Sequence, residues 1–138
     1  MDSNTISKYK SRSLPWLLDK ATFYFNRYIR ERDAKVGCIS CGSYSGVMHA
    51  GHFFSAGHHA AVRFDERNVN KQCLRCNNFL HGNLLPYRDN LIKKIGQKSF
   101  NDLEQTMKYY KRVGYKHDRI LLIEIIENYK IKYNQIAA

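Results

Sequence analysis

The chain has few prolines, few acidic residues and no long apolar run, and each of these shortages excludes some classes of protein. With only Pro15 and Pro86 and no low-complexity tract, no stiff linker divides it, so we expect a single domain over residues 1–138. The longest apolar run, at 120–126, contains an acid and is far too short to span a bilayer. The opening MDSNTISKYK lacks the apolar core of a signal peptide. These absences predict a cytoplasmic protein with no membrane partner.

The scarcity of acidic side chains gives the chain a strong positive charge. It holds 23 Lys plus Arg against 12 Asp plus Glu, a formal net charge of +11. Such an excess attracts polyanions. A basic surface kept only for solubility would normally come with a more balanced acid count, so the composition favours nucleic acid as the partner.

Four cysteines stand in two Cys-x-x-Cys pairs, Cys38 with Cys41 and Cys73 with Cys76. Two such pairs can present four thiolates tetrahedrally to Zn²⁺. Two disulfides are the alternative, but the cytoplasm keeps thiols reduced. The long interval between the pairs is tolerable because the cost of closing a loop grows slowly with its length. We therefore expect one structural Zn²⁺ per chain, with no coordination position left for water.

Hydrophobic periodicity predicts helices at both ends of the chain and a small β-hairpin between them. The hairpin strands are expected near 47–54 and 62–64, where short apolar runs lie among glycines. The predicted organisation is a mobile basic arm at 1–12, a helix at 13–36, a zinc-bound core at 37–96 and a helical extension at 97–138. A short helix is expected to begin in LRCNNFLHGN. Gly96 is expected to close a further helix over LPYRDNLIKKIG, and Gly114 the helix that Ser99 opens.

Two histidines, His49 and His52, are surplus to a four-thiolate site. They are either polar strand residues without a chemical role or part of a second site. On a regular strand, positions three apart point to opposite faces, so the pair would not share a ligand. Gly51 weakens this objection, because it permits a bulge that would turn His52.

Several linked motifs resemble one phage family. CISCG, HAGHF, RFDERNVNKQCLRCN and GNLLPYRDNLIKKIG, with the preceding FNRYIRERD, together resemble the NinG, or Rap, recombination endonucleases of lambda-like phages. The resemblance covers about residues 14 to 96 and includes the pattern of zinc-knuckle ββα-metal, or His-Asn-His, nucleases. It implies an α+β fold with a treble-clef-like core, a small hairpin and flanking N-terminal and C-terminal helices. It also implies a structure-specific endonuclease that hydrolyses phosphodiester bonds in Holliday junctions and D-loops.

The resemblance assigns catalytic roles to four side chains. Neutral His52 would be the general base that activates water. Asn68 would orient its imidazole. Asn77, with His49, would hold a catalytic Mg²⁺ or Mn²⁺ that acts as Lewis acid. Taken singly, both asparagines also fit turn or cap positions.

The sequence departs from the family pattern at Gly51, where Asp or His is the usual first ligand of the catalytic metal. His49 is the nearest replacement, and His81 is either a further ligand or a bystander. The expected partner is branched DNA, and most of the DNA contacts should be to phosphates. The basic residues expected to make them are Arg63, Arg67, Lys71, Arg75, Arg88, Lys93 and Lys94.

Two other functions fit parts of the sequence. A non-catalytic, zinc-stabilised nucleic-acid-binding module would explain the charge and the cysteines. A protein-interaction adaptor would use the apolar C-terminal helix but would explain neither the charge nor the histidines. The apolar residues at 120–126 cover more than half of that helix, so a homodimer is possible, with deep burial inside the same chain as the alternative.

Overall fold

A computed structural model describes residues 1–137 and shows a mixed α+β chain with a two-stranded antiparallel hairpin. The helices are α1 (Ser3–Lys8), α2 (Leu14–Arg32), α3 (Leu84–Ile95), α4 (Gln97–Val113) and α5 (Arg119–Ile136), and the strands are β1 (Met48–His52) and β2 (Val69–Cys73). A 3₁₀ turn, Ala60–Val62, lies between the strands, and a π-helical turn, Arg75–Phe79, follows β2. The expected α+β class with a small hairpin is confirmed. Within residues 1–137, no helix is long and apolar enough to cross a membrane.

Helices α2 and α5 pack together and support the hairpin. Ser13 caps α2, since its Oγ accepts a hydrogen bond from the Trp16 amide at 3.2 Å, and Pro15 lies in the first turn, where its missing N–H is not needed. The buried residues of the two helices are Leu17, Ala21, Phe25 and Ile29 from α2 and Leu122, Ile123, Ile126 and Tyr129 from α5. Ala50 of β1 and Val69 of β2 pack on the same core. The hairpin therefore rests on a helical platform.

The second strand of the hairpin does not lie where it was predicted. β1 pairs with β2 from Met48 opposite Cys73 to His52 opposite Val69, whereas the predicted strand at 62–64 overlaps the 3₁₀ turn. The prediction failed because β2 buries polar side chains, which conceal its periodicity. Among them, Gln72 is 0% exposed. The segment 53–68 is consequently a long loop between the strands.

Helices α3 and α4 form a second layer of the core around the 3₁₀ turn. Gly96, with φ 90°, turns the chain from α3 into α4, and Gly114, with φ 93°, ends α4. Both helix ends are confirmed. The buried residues of this layer are Val62, Tyr87, Leu91, Phe100 and Leu103.

Tyr9 attaches the N-terminal segment to α5. α1 precedes Tyr9, which is 4% exposed and donates its hydroxyl hydrogen to Glu127. Arg119 donates to the carbonyls of Tyr9 and Arg12. The ring and the hydroxyl of Tyr9 thus both have partners on α5, and the mobility of residues 1–12 stays a prediction.

Candidate metal centre and nucleic-acid interface

The four cysteines converge at one end of the hairpin. Cys38 and Cys41 lie in the turn before β1, Cys73 ends β2, and Cys76 lies in the π-helical turn. Their sulfur atoms all lie within 4.8 Å of one another, and the 3.7 Å between the sulfurs of Cys41 and Cys73 is far longer than a disulfide bond. All four thiols are free. The cluster could therefore hold a structural metal ion such as zinc.

Backbone amides donate hydrogen bonds to one sulfur of each cysteine pair, which stabilises the thiolate form. The amide of Cys41 donates to the sulfur of Cys38 at 3.5 Å, and the amide of Cys76 donates to the sulfur of Cys73 at 3.4 Å. Burial opposes ionisation of Cys38, but the surrounding amides lower its pKa to about 7. Burial raises the pKa of Cys76 to about 12. A cation is thus the natural means of ionising all four sulfurs together.

The first cysteine pair requires glycine at its entrance. A Cβ on Gly37 would lie 2.4 Å from the carbonyl oxygen of Gly42. This close approach accompanies the bonds that close the turn, from the Cys38 amide to Ser43 and from the Gly42 amide to Cys38, both 2.8 Å. This tight turn of the backbone allows the sulfurs of Cys38 and Cys41 to point towards one site.

His52 lies at the end of β1 on a cavity of about 280 Å³ that Asn77 and His81 also line. Its Nε2 is 2.9 Å from the carbonyl oxygen of Arg63. A carbonyl can only accept, so Nε2 carries the hydrogen and Nδ1 is the unprotonated nitrogen. Burial lowers the pKa of His52. The hydrogen bond to the Arg63 carbonyl opposes this decrease in pKa, and the positive charge of Arg63 adds to it. The imidazole is therefore neutral at pH 7.

Asn77 bonds to one histidine of β1 and lines the same cavity as the other. Its amide nitrogen donates to Nδ1 of His49 at 3.0 Å, and its side chain lines the cavity beside His52. The structure thus brings His49, His52 and Asn77 into one neighbourhood. The catalytic roles assigned to them stay predictions.

Asn68 is completely buried and does not bond to the imidazole of His52. Its Oδ1 accepts from the Phe54 amide at 2.8 Å, and its amide group donates to the carbonyls of Phe54 and Val62 at 2.9 and 3.1 Å. These bonds close the interstrand loop that carries Arg63. Asn68 therefore affects His52 only indirectly. It holds the loop whose Arg63 carbonyl accepts the hydrogen bond from His52.

Gly51 lies in the unbroken register of the hairpin, opposite Asn70, so the bulge that was considered there is absent from β1. A Cβ at Gly51 would lie 2.0 Å from Oε1 of Gln72. Gln72 donates its amide hydrogens to Ser40 Oγ at 2.9 Å and to the Gly82 carbonyl at 2.6 Å. The glycine is thus explained by the space that Gln72 occupies. No pattern in the sequence indicated a role for Gln72, because its hydrogen-bond partners, Ser40 and Gly82, are distant from it in sequence.

The seven basic residues expected to contact DNA divide into two groups. Four of them form hydrogen bonds or ion pairs with other residues of the chain. Arg63 donates to Thr22, Arg67 pairs with Asp65, Lys71 donates to the carbonyls of Asp33 and Val36, and Lys94 pairs with Asp33. The other three, Arg75, Arg88 and Lys93, are exposed. Arg88 lies 5.1 Å from the ring of Phe100, which orients it without neutralising it.

Comparison with known proteins places the chain in a family. The family model described as "NinG: Bacteriophage Lambda NinG protein" matches residues 2–137. This chain belongs to the NinG family. It is 39% identical to protein ninG of Escherichia phage 933W over 75% of this chain and 52% of that protein. The corresponding values are 38%, 75% and 51% for Escherichia phage lambda and 37%, 80% and 55% for Salmonella phage P22.

The chain spans about half the length of these NinG relatives. No solved structure matches it. The relatives and the family model are named only as NinG, and no nuclease function is indicated by them. The prediction of a structure-specific endonuclease for branched recombination intermediates is therefore wrong, and no catalytic Mg²⁺ or Mn²⁺ is supported. Membership of a family establishes relationship and fold, whereas activity has to be argued from the site.

Proposed function

We propose that this chain is a zinc-stabilised module that binds nucleic acid without a catalytic step of its own. The observation that carries the proposal is the convergence of four thiols within 4.8 Å in a chain of net charge +11. A cluster of this kind anchors short loops that have too little apolar surface to fold alone. The order of cysteine turn, hairpin and helix is consistent with a treble-clef-like core.

Zinc fits the donor set of this site. Four thiolates complete its tetrahedral coordination, so the ion would supply folding free energy and leave no position for a substrate. Its ligands would be Cys38, Cys41, Cys73 and Cys76, of which Cys41 alone is exposed. One ion would tie the turn before β1 to the end of β2 and to the π-helical turn.

The proposed nucleic-acid surface comprises the π-helical turn that this ion would hold and α3, the next helix along the chain. Arg75 belongs to the π-helical turn and Arg88 and Lys93 to α3, and all three side chains are exposed. Cations of this kind contact phosphates, which position a protein on nucleic acid without selecting a sequence. We expect duplex and branched DNA to bind through this surface with a strong dependence on salt.

The test is DNA binding by fluorescence anisotropy over a range of salt concentrations, with a labelled duplex and a labelled four-way junction. The double variant Arg75→Gln/Arg88→Gln should bind more weakly to both and lower the slope of log Kd against log salt by about two, one for each lost phosphate contact. The control Lys10→Gln/Lys108→Gln removes the same charge from exposed positions on other parts of the chain. It should leave the slope within the experimental scatter of wild type.

Two results would contradict the proposal. The first is failure of the zinc-loaded protein to bind DNA at about 50 mM salt, where electrostatic binding is strong. The second is cleavage of the labelled DNA on a denaturing gel when Mg²⁺ is added, because a binding module leaves the strands intact.

A further inference from the structure

A cleft of about 380 Å³ opens beside the cysteine cluster. It is mostly apolar, and its lining includes Val47 from one side of the hairpin and Leu74 and Phe79 from the other, with the ligand candidates Cys41 and Cys73. The amide of Leu74 donates to the carbonyl of Val47 at 3.0 Å, which ties the two sides together. The cleft is therefore built into the frame that the cysteines hold.

The apolar side chains at this cleft are unusually exposed for their size. Phe79 is 73% exposed and Val47 is 61% exposed. An aromatic ring gains more from burial than most side chains, and apolar surface left exposed at a concave site marks a contact surface. A flat ring at the edge of a cleft offers one face to a flat ligand.

The cleft also carries polar groups. Arg75 lines it from the same π-helical turn as Phe79, and within residues 1–137 its side chain is neither hydrogen-bonded nor ion-paired. A guanidinium in this position can bind a phosphate with two hydrogen bonds. Ser43 and Ser45 also line the cleft. Their hydroxyl groups bond to each other at 3.2 Å, which leaves one O–H that can donate to the edge of a base.

We propose that this cleft binds one unpaired nucleobase, which stacks on Phe79 while its phosphate pairs with Arg75. The inference rests on the proposed function and makes it more specific: the ligand is nucleic acid with a base outside the helical stack. Charge favours nucleic acid over an apolar protein segment, since Arg75 lines the cleft and the chain carries +11. Stacking accepts any base, because every base has a π-face.

The test uses a duplex with one bulged 2-aminopurine and the same duplex fully paired. The variant Phe79→Ala should bind the bulged duplex about tenfold more weakly than wild type, as expected for the loss of one stacked base, and the paired duplex within twofold. The change in 2-aminopurine emission on binding should also disappear. Phe79→Trp should restore both, because indole stacks at least as well.

Tyr44→Ala is the matched control, since Tyr44 is 74% exposed in the same region but does not line the cleft. It should behave as wild type with both duplexes. Zinc content and circular dichroism should be unchanged in Phe79→Ala, because truncating an exposed side chain costs little stability.

The outcomes separate the inference from the proposed function. If wild type binds both duplexes and Phe79→Ala equals Tyr44→Ala, the base-binding cleft is wrong and the nucleic-acid-binding function stands. Equal losses on both duplexes would also overturn the cleft, because Phe79 would then act without recognising an unpaired base. If wild type binds neither duplex, the proposed function fails as well.

Discussion

Asn68 shows how a polar residue can resemble a catalytic one and serve the fold. It is 0% exposed, and three hydrogen bonds from its side chain close the loop between β1 and β2. A buried polar atom destabilises the folded state unless it is hydrogen-bonded. Asn68 and the backbone groups of Phe54 and Val62 therefore depend on one another as partners. The same loop carries the carbonyl of Arg63 that accepts from His52.

We predict that Asn68→Ala lowers the free energy of unfolding by about 3 kcal/mol, because buried backbone groups lose their partners. Urea unfolding should show a lower midpoint with an unchanged m-value. Asn134→Ala, at an exposed position of α5, should have no such cost, since alanine is the better helix former. Equal midpoints for Asn68→Ala and wild type would exclude this bracing role.

At the scale of elements, a buried carboxylate joins α2, β2 and α3. Asp33 follows α2 and is 4% exposed. It accepts hydrogen bonds from Arg32, from the Lys71 amide and from Lys94. Burial by itself raises the pKa of Asp33, but these donors, Arg32 foremost, bring it below its usual value. Arg32 also donates to the carbonyls of Glu66 and Val69, so the ends of three elements meet here.

We predict that Asp33→Asn lowers the free energy of unfolding by about 3 kcal/mol at pH 7, because Arg32, Lys94 and the Lys71 amide lose the buried anion that they share. The folded-state pKa is depressed, so the stability that Asp33 contributes is present above its unfolded-state pKa of about 3.9 and is lost as the pH falls through the folded value. The difference between variant and wild type should therefore shrink below about pH 4. Chemical unfolding at several pH values measures it.

Asp89→Asn is the matched control for this change, since Asp89 is exposed on α3. Its unfolding curve should follow that of wild type within about 0.5 kcal/mol at pH 7. A difference for Asp33→Asn that stayed constant from pH 7 to pH 2 would contradict the assigned ion pairs.

The cysteine cluster joins a second set of elements. It links the turn before β1, the end of β2 and the π-helical turn. We predict one equivalent of tightly bound zinc per chain, whose removal by a chelator unfolds the hairpin region, since a structural metal contributes directly to folding. Metal analysis and circular dichroism measure this. Less than half an equivalent of zinc in a fully folded preparation would contradict the prediction.

At the scale of the whole molecule, the two ends of the described chain pack together. Tyr9 lies in the core with Leu17, Leu122 and Ile126 and bonds to Glu127. Lys8 pairs with the same carboxylate at 3.1 Å. The N-terminal segment is thus part of the helical platform under the hairpin.

We predict that Tyr9→Ala lowers the free energy of unfolding by about 3 kcal/mol, because it leaves a cavity in the core and an unpaired partner on α5. Thermal and urea unfolding measure it. Tyr44→Ala is the control, as Tyr44 is 74% exposed, and it should be nearly neutral. A neutral Tyr9→Ala would show that the segment contributes nothing to stability.

The possible homodimer stays a prediction. α5 buries Leu122, Ile123 and Ile126 within its own chain, and it leaves Ile120 37% and Leu121 38% exposed. If subunits associate through α5, Leu121→Glu should convert the dimer to a monomer of 16.2 kDa, because a charge would then be buried between them. Light scattering at micromolar concentration measures the mass. A wild-type mass of one chain, both free and DNA-bound, would contradict the dimer.

Features with local causes were predictable from the sequence. The ends of α3 and α4 follow from Gly96 and Gly114, whose positive φ angles only glycine adopts easily. The cap of α2 follows from Ser13, which bonds within one turn. The cysteine cluster follows from spacing, because two Cys-x-x-Cys turns can present four sulfurs to one point.

Features that depend on distant partners were decided by the tertiary structure alone. β2 was missed because Asn70 and Gln72 point inward, and their partners, Lys94 and the turn at Gly82, are not neighbours in sequence. The pairing of cations was hidden in part: Arg67 pairs with Asp65 only two residues away, but Lys94 pairs with Asp33 across the fold. Residue type and spacing indicate which ligands a side chain can bind. Only the packed chain determines whether that capacity is used inside the protein or remains available to a ligand.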